Sequence, residues 1–227
     1  VGTAALAAGE LDYSASTDSG IPAAVQGVPI KAVLFAMKGP PFYLISQPGL
    51  KKINELVGKK VGVSRLGTSP YFASRRIFKK FNVDVETITY IQAGSNMNRV
   101  IALTNGSLDA SMLSLPTARI MIDKGFTELA SPRDIGSVPH AGLIARNAII
   151  EKHRDQVKKM IASLIDAMAY LANDKAGAID YIASKWKLNR DLSEELLVRD
   201  LLPMLTMDGR MHESACKGTW IRSTKTN

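Results

Sequence analysis

Apolar positions in this chain fall into short runs broken by glycine and polar turns, with longer stretches of helical period between them. Val61 and Val63 flank Gly62 as a brief buried strand. Beyond it Tyr71, Phe72, Arg75, Ile77, Phe78 and Phe81 recur at spacings that share one face of a helix. Ser69 stands as the N-cap and Pro70 as the first helical residue, where a proline sacrifices no helical hydrogen bond. Residues 61–81 are therefore predicted as strand, loop and helix start. Such a start leaves backbone N–H groups and a partial positive charge facing outward, and Thr68 and Ser69 add two hydroxyls. That is an anion-binding geometry, although the same residues also make an ordinary capped helix.

The same pattern predicts strands at 30–37, 42–46, 87–91, 126–129 and 141–145, and a short helix at 50–57 that turns through Gly58, Lys59 and Lys60. Ala93, Gly94 and Ser95 open a further helix. Three more follow at 149–172, 176–186 and 193–205. Val157, Ile161, Leu164, Ile165, Met168 and Leu171 form one helical face and are read as core.

An internal echo organises these elements. Residues 5–14 read ALAAGELDYS and residues 102–111 read ALTNGSLDAS, with six of ten positions identical at an offset of 97. Pro22 and Ala24 echo Pro116 and Ala118, and Gly27 echoes Gly125. Each copy reads as a helix ended by glycine, a short strand carrying Leu-Asp, a polar loop and another helix. A duplicated α/β unit implies two similar domains. Ligands of open α/β sheets bind outside the carboxyl ends of the strands, so loops 14–20 and 111–116 are expected on opposite walls of a cleft.

Composition narrows the class. With 227 residues, 46% hydrophobic and 22% charged, the chain can bury a sizeable core and is not disordered. No run reaches the ~20 apolar residues that span a bilayer, and the longest candidate, 160–172, is interrupted by Ser163 and Asp166. The opening VGTAALAAGE has no initiator Met, basic segment or apolar core; it is not read as a signal peptide, and the sequence is expected to begin inside a domain. Cys216, the single cysteine, cannot form an internal disulfide or a cysteine-rich metal site. His140, His153 and His212 share no ligand spacing. The net charge of +8 is scattered without an aromatic-interleaved basic stripe, which argues against nucleic acid as a partner. No metal, cofactor or catalytic residue is assigned, because no Ser-His-Asp, Cys-His or paired-carboxylate pattern stands out.

The segments AALAAGELDYSAS, GVPIKAV, ELVGKKVGVSRLGTS, ALTNGSLDA and GLIARNAIIEKHRDQVKKMIASLIDA resemble the ABC-transporter substrate-binding proteins of the nitrate, sulfonate and taurine group, which includes binders of thiamine-pyrimidine precursors. The resemblance runs from about Gly2 to Met211. It implies an α/β, two-lobed periplasmic-binding-protein-like fold of type II, each lobe a mixed sheet flanked by helices, with a ligand cleft between lobes that closes by a hinge. The lobes are expected at 1–46 with 141–227, and at 47–140. Such proteins work as monomers in the periplasm or outside the cell membrane. They present a small-molecule ligand to ABC permease and ATPase subunits, and meet the membrane only through the permease or a lipid anchor. The family's first strand and helix would precede Val1, and residues 212–227 depart from its usual closing helix. Fungal enzymes that make the thiamine pyrimidine share this fold but need a cysteine cluster, which Cys216 alone does not supply. Ligand-sensing domains of regulators also share it.

The resemblance also implies where the ligand touches. Gly67, Thr68 and Ser69 are expected to give amide and hydroxyl donors to its polar end, with Tyr71 as the neighbouring aromatic. Ser16, Thr17 and Asp18 occupy the matching loop of the first lobe, where Asp18 either accepts from the ligand or caps a helix beginning near Ile21. Ser114 and Pro116 are the second-copy equivalents, as wall or as plain turn. Ser95, Asn96 and Met97 open a helix at the cleft edge. Phe42 and Tyr43 read as core before they read as stacking residues. Arg65 could pair a sulfonate or carboxylate, or simply lie exposed.

Overall fold

The computed structural model describes residues 2–138 and 140–211. In chain order the elements are α1 (Gly2–Ala8), β1 (Tyr13–Ser16), α2 (Thr17–Val25), β2 (Ile30–Phe35), β3 (Phe42–Ser46), β4 (Lys60–Val63), α3 (Ser69–Lys80), β5 (Thr89–Gln92), α4 (Asn96–Thr104), β6 (Ala110–Ser114), α5 (Thr117–Asp123), β7 (Thr127–Ala130), α6 (Pro132–Ile135) and β8 (Ala141–Arg146). The helices α7 (Asn147–Lys152), α8 (Arg154–Asn173), α9 (Lys175–Trp186), α10 (Arg190–Glu195) and α11 (Leu202–Met204) follow, with a π-helical segment, Leu196–Leu201, joining the last two. The chain divides into two compact units, Val1–Gly39 with Ser137–Asn227, and Pro40–Gly136.

The second unit is a five-stranded sheet in the order β5-β4-β6-β3-β7. β4 runs parallel to β5 and β6, while β3 is antiparallel to β6 and β7. Its inner strands are apolar on both faces, as buried mixed sheets require. Alternation along β3 and β6 divides them between two cores: Leu44 and Met112 join Val61, Val63, Ile77 and Phe78, whereas Tyr43, Ile45 and Leu113 join Leu103, Leu108 and Met121. Gly62 is required between the two valines because a Cβ there would stand 2.4 Å from Leu108 Cδ1 and 2.9 Å from Ser111 Oγ. The 42–46 strand, expected in the first lobe, belongs here because both of its edges are paired by β6 and β7.

The first unit has a three-stranded sheet, β1-β8-β2, antiparallel throughout. Leu6, Ile30 and Ile144 are buried together beneath it. Ala178, Ile179, Ile182 and Leu197 form a separate helical core. The predicted face of the long helix is present, with Val157 and Met168 buried, but the helix is two: α7 ends and α8 starts at His153, whose φ of −127° and ψ of 45° lie outside the helical region.

The internal echo is a repeated backbone geometry. Gly9 N–H donates to Leu6 O at 3.1 Å and Gly106 N–H to Leu103 O at 3.3 Å; Leu11 N–H reaches Ala5 O and Leu108 N–H reaches Ala102 O. All are equivalent at the offset of 97, and both glycines sit at positive φ, 80° and 78°. After the strands the register slips by one residue: Val28 N–H bonds Ala23 O where Phe126 N–H bonds Met121 O, and Gly27 stands where Gly125 does.

 Ala23 and Met121 are thus the matching acceptors, and the sequence match of Pro22 with Pro116 is a correction: Pro22 lies inside α2, whereas Pro116 is the N-cap of α5. The Leu-Asp pairs also sit in the turns before β1 and β6 rather than in the strands, where each aspartate ties its turn to a neighbouring strand. Asp12 pairs with Arg146 at 2.5 Å, and Asp109 Oδ2 accepts from Lys60 N–H at 2.8 Å.

Candidate functional site

In the second unit the parallel strands β5, β4 and β6 end at one edge, and the loops leaving them lead to α4, α3 and α5. Open α/β sheets offer ligands this edge. The loops are tied to one another. Gly94 N–H donates to Ser64 O at 3.2 Å, and Leu66 N–H to Gln92 Oε1 at 3.1 Å. Asn96 Oδ1 accepts from Ser114 N–H at 3.3 Å, and its Nδ2 donates to Ser114 O at 3.5 Å. Ser114 and the start of α4 are thereby held together, with Phe42 paired opposite Ser114 across β3 and β6. Segments 64–69, 93–98 and 114–117 contain no Asp or Glu.

The β4-to-α3 turn uses its residues differently from the sequence expectation. The N-cap of α3 is Thr68, not Ser69, and Pro70 is the second helical residue. Thr68 is extended, with φ −97° and ψ 167°, and Phe72 N–H donates to its carbonyl. Its hydroxyl donates to Arg65 O at 2.6 Å and lies 2.8 Å from Ser64 Oγ, so it closes the turn instead of standing open to a ligand. Gly67 is exposed at φ 77° with nothing within 4 Å of a Cβ position, a left-handed turn residue leading into the helix. Ser69 is half-buried in the first turn.

The predicted face of α3 also needs correction. Pro70, Ala73, Ser74, Ile77 and Phe78 are buried, while Phe72 and Phe81 are 56% and 44% exposed. Tyr71 is turned toward β5: its ring meets Tyr90 edge-on at 4.9 Å and its hydroxyl accepts from Arg75 at 3.1 Å. Burial pushes the Tyr90 phenol up, against the opposing pull of its Ser74 hydrogen bond. Tyr71 is thus engaged along the flank of α3. Phe42 packs against one core of the sheet and Tyr43 is buried in the other.

At α4, Ser95 is the N-cap, its Oγ accepting from Asn98 N–H at 3.1 Å. Met97 is 63% exposed. The residue that sequence reasoning missed is Arg99, which is buried in the first turn and donates to Gly94 O and Asn96 Oδ1. Its signal was faint: an arginine three residues after Asn96 on one helical face, in a segment without acids.

In the first unit, β1 continues through Ser16 and α2 begins at Thr17, so the expected loop with a helix starting near Ile21 is replaced by a direct strand-to-helix junction. Thr17 is fully buried and its hydroxyl donates to His140 O. Asp18, in the first turn, accepts from Ser19 N–H at 2.8 Å. Burial pulls the His140 imidazole below its ordinary pKa, and the charge of Asp18 opposes that pull. Ser16, Thr17 and Asp18 are therefore adjacent at one strand end. Among the described residues no group of three His, Cys, Asp or Glu side chains could hold a metal ion, and no helix is long and apolar enough to cross a membrane. His212 and Cys216, with the tail at 212–227, lie outside the described residues.

These elements define a two-unit α/β chain whose second unit offers an acid-free strand edge at two helix starts. The family model described as NMT1/THI5 like matches residues 2–178, and the chain belongs to that family. A candidate binding protein of Brucella abortus (strain 2308) is 28% identical over 221 residues, covering 92% of this chain and 67% of its own. The alkanesulfonate-binding protein SsuA of Xanthomonas axonopodis pv. citri, solved bound to MOPS, superposes with a TM-score of 0.73 at 20% identity, covering 87% of this chain and 69% of that one. The Candida albicans CA3427 gene product, described as having the generic periplasmic binding protein fold, gives a TM-score of 0.75 at 16% identity over 98% and 76%. The fold is the periplasmic-binding-protein fold.

Proposed function

We propose that this chain is the solute-binding component of an ABC importer. It works as a monomer outside the cytoplasm and captures a small anionic or polar organic solute for a permease and its ATPase. Hinge closure is how a two-lobed fold retains such a solute, since contacts made only in the closed state shift the equilibrium toward it. The reading is of a binding protein without catalytic chemistry.

The observation that carries it is the edge where β5, β4 and β6 deliver two helix starts, α3 and α4, in loops without a carboxylate. Amide donors and helix dipoles directed at one place favour a negative or strongly polar group. A sulfonate is the leading class, because the similar alkanesulfonate-binding protein supports it. Nitrate and taurine rest on the sequence resemblance. Ser69, Gly67 and Ser114 are the proposed contacts of this edge, while Thr68 holds the turn that aims them.

The test is native mass spectrometry of the purified protein for a retained small molecule, with a melting screen against alkanesulfonates, nitrate and pyrimidines. Stabilisation by at least one compound, reduced in Ser69→Ala and in Thr68→Val, is the expected result. A protein that carries no small molecule and whose melting temperature ignores the whole panel would sink the reading.

A further inference from the structure

Arg99 is a buried cation that the sheet edge does not neutralise. Its side chain is 3% exposed, with donors on Gly94 O at 3.0 Å and Asn96 Oδ1 at 2.8 Å, and its Nε is buried without a hydrogen-bond partner. Among the described residues no carboxylate pairs with it. Burial alone pulls its pKa below the ordinary arginine value. A desolvated charge of this kind is destabilising unless an opposite charge offsets it.

The same unit shows what a repaid arginine looks like. Arg119 is also 3% exposed, yet it meets Glu128 at 3.4 Å and lies over the Tyr43 ring at 5.3 Å. Among the described residues Arg99 has neither an acid nor a ring beside it, and it stands at the start of α4, where the helix dipole already disfavours a positive charge. Both penalties are relieved by an anion arriving at the start of α4. Asn96 is the link to that position, because its Oδ1 accepts from Arg99 and from Ser114 N–H together.

We propose that Arg99 makes this edge selective for an anion, a sulfonate, carboxylate or inorganic oxyanion held at the starts of α3 and α4. Arg99 acts from beneath, by its charge and by orienting Asn96 and Gly94, and is a positioning residue. The assignment rests on the solute-binding reading of the same edge and adds to it the sign of the ligand and the residue that sets it.

The experiment compares the full chain with Arg99→Gln and Arg99→Lys, titrated with alkanesulfonates, nitrate and acetate, and with the neutral alkanesulfonamides and pyrimidines. Arg99→Gln is expected to weaken the best-bound anion at least about tenfold, as loss of one buried charged partner does, and to leave neutral compounds within about twofold. Arg99→Lys, which keeps the charge, stays within about threefold for the anion. Equal losses for anions and neutral compounds, or an unchanged anion affinity in Arg99→Gln, overturn the proposal. If Arg99→Gln does not fold, a tenfold anion loss in Arg99→Lys overturns it and retention supports it. A wild-type protein that binds neutral compounds but no anion overturns the charge assignment while the solute-binding reading stands; one that binds nothing in the panel overturns both.

Discussion

The two copies of the repeated segment share a turn and differ in almost everything the turn touches. The Gly9 and Gly106 N–H bonds match, as do those of Leu11 and Leu108, yet Leu11 is 43% exposed and Leu108 is 1% exposed. β1 pairs only with β8, by antiparallel bonds and through an irregular register between Ser14 and Ser16, whereas β6 lies between β4 and β3 in the middle of its sheet. Local sequence therefore determines the backbone path, and the neighbours determine how much free energy each side chain contributes. A repeat is conserved in geometry before it is conserved in energetics.

Substitution at the leucines separates the copies most. Leu108→Ala removes a side chain that Gly62 was shaped to admit and is expected to cost about 2–5 kcal/mol in urea unfolding. Leu11→Ala should stay within about 0.5 kcal/mol, as exposed substitutions do. Equal costs would mean that the two turns are energetically equivalent and that burial is not what separates them.

The aspartates give a smaller contrast. Asp109→Ala leaves the Lys60 N–H without its carboxylate at the start of β4 and is expected to cost about 1.5–3 kcal/mol. Asp12→Ala breaks an ion pair whose side chains are 28% and 47% exposed, and solvent screening limits the cost to at most about 1 kcal/mol. Urea midpoints of the two variants, read against the wild type, check the order.

The smallest effect is a pH dependence confined to the first copy's surroundings. His140, whose carbonyl receives the Thr17 hydroxyl, has its folded pKa lowered by burial. The unfolded chain then binds the proton more readily, so stability is full above the unfolded value of about 6.5 and declines as pH falls toward the folded value. A melting series from pH 7.5 to about 5 in wild type and His140→Gln should show a decline that the variant flattens. Parallel curves would assign the decline to other groups.

Much of this was legible in the sequence because it depends on short-range pattern. Buried strands announced themselves as apolar runs, and glycine turns as breaks at a constant offset. The misplacements share a cause in features that pattern does not carry. Phe72 fitted an apolar helical stripe but faces outward, because Pro70, Ala73 and Ser74 bring α3 close to its sheet on the other side. Thr68 took the N-cap from Ser69 because its extended backbone continues from the Gly67 turn. The break at His153 has no glycine or proline to betray it. Arg99 was hidden for a different reason: an arginine in a helix is ordinarily a surface residue, and only the folded chain shows it enclosed and uncompensated.

The way the second unit is inserted into the first has a consequence for synthesis. Lys38 and Val138 flank the insertion and are joined, Val138 N–H donating to Lys38 O at 2.8 Å. On a ribosome, every strand of the β5-β4-β6-β3-β7 sheet has been translated by Gly136, so that sheet can form while the rest of the chain is still being made. Among the described residues, β1 and β2, translated earlier, have no strand between them until β8 follows. The half of the molecule that begins first is the half that must finish last, and the nascent chain must keep α1, β1, α2 and β2 soluble through that interval.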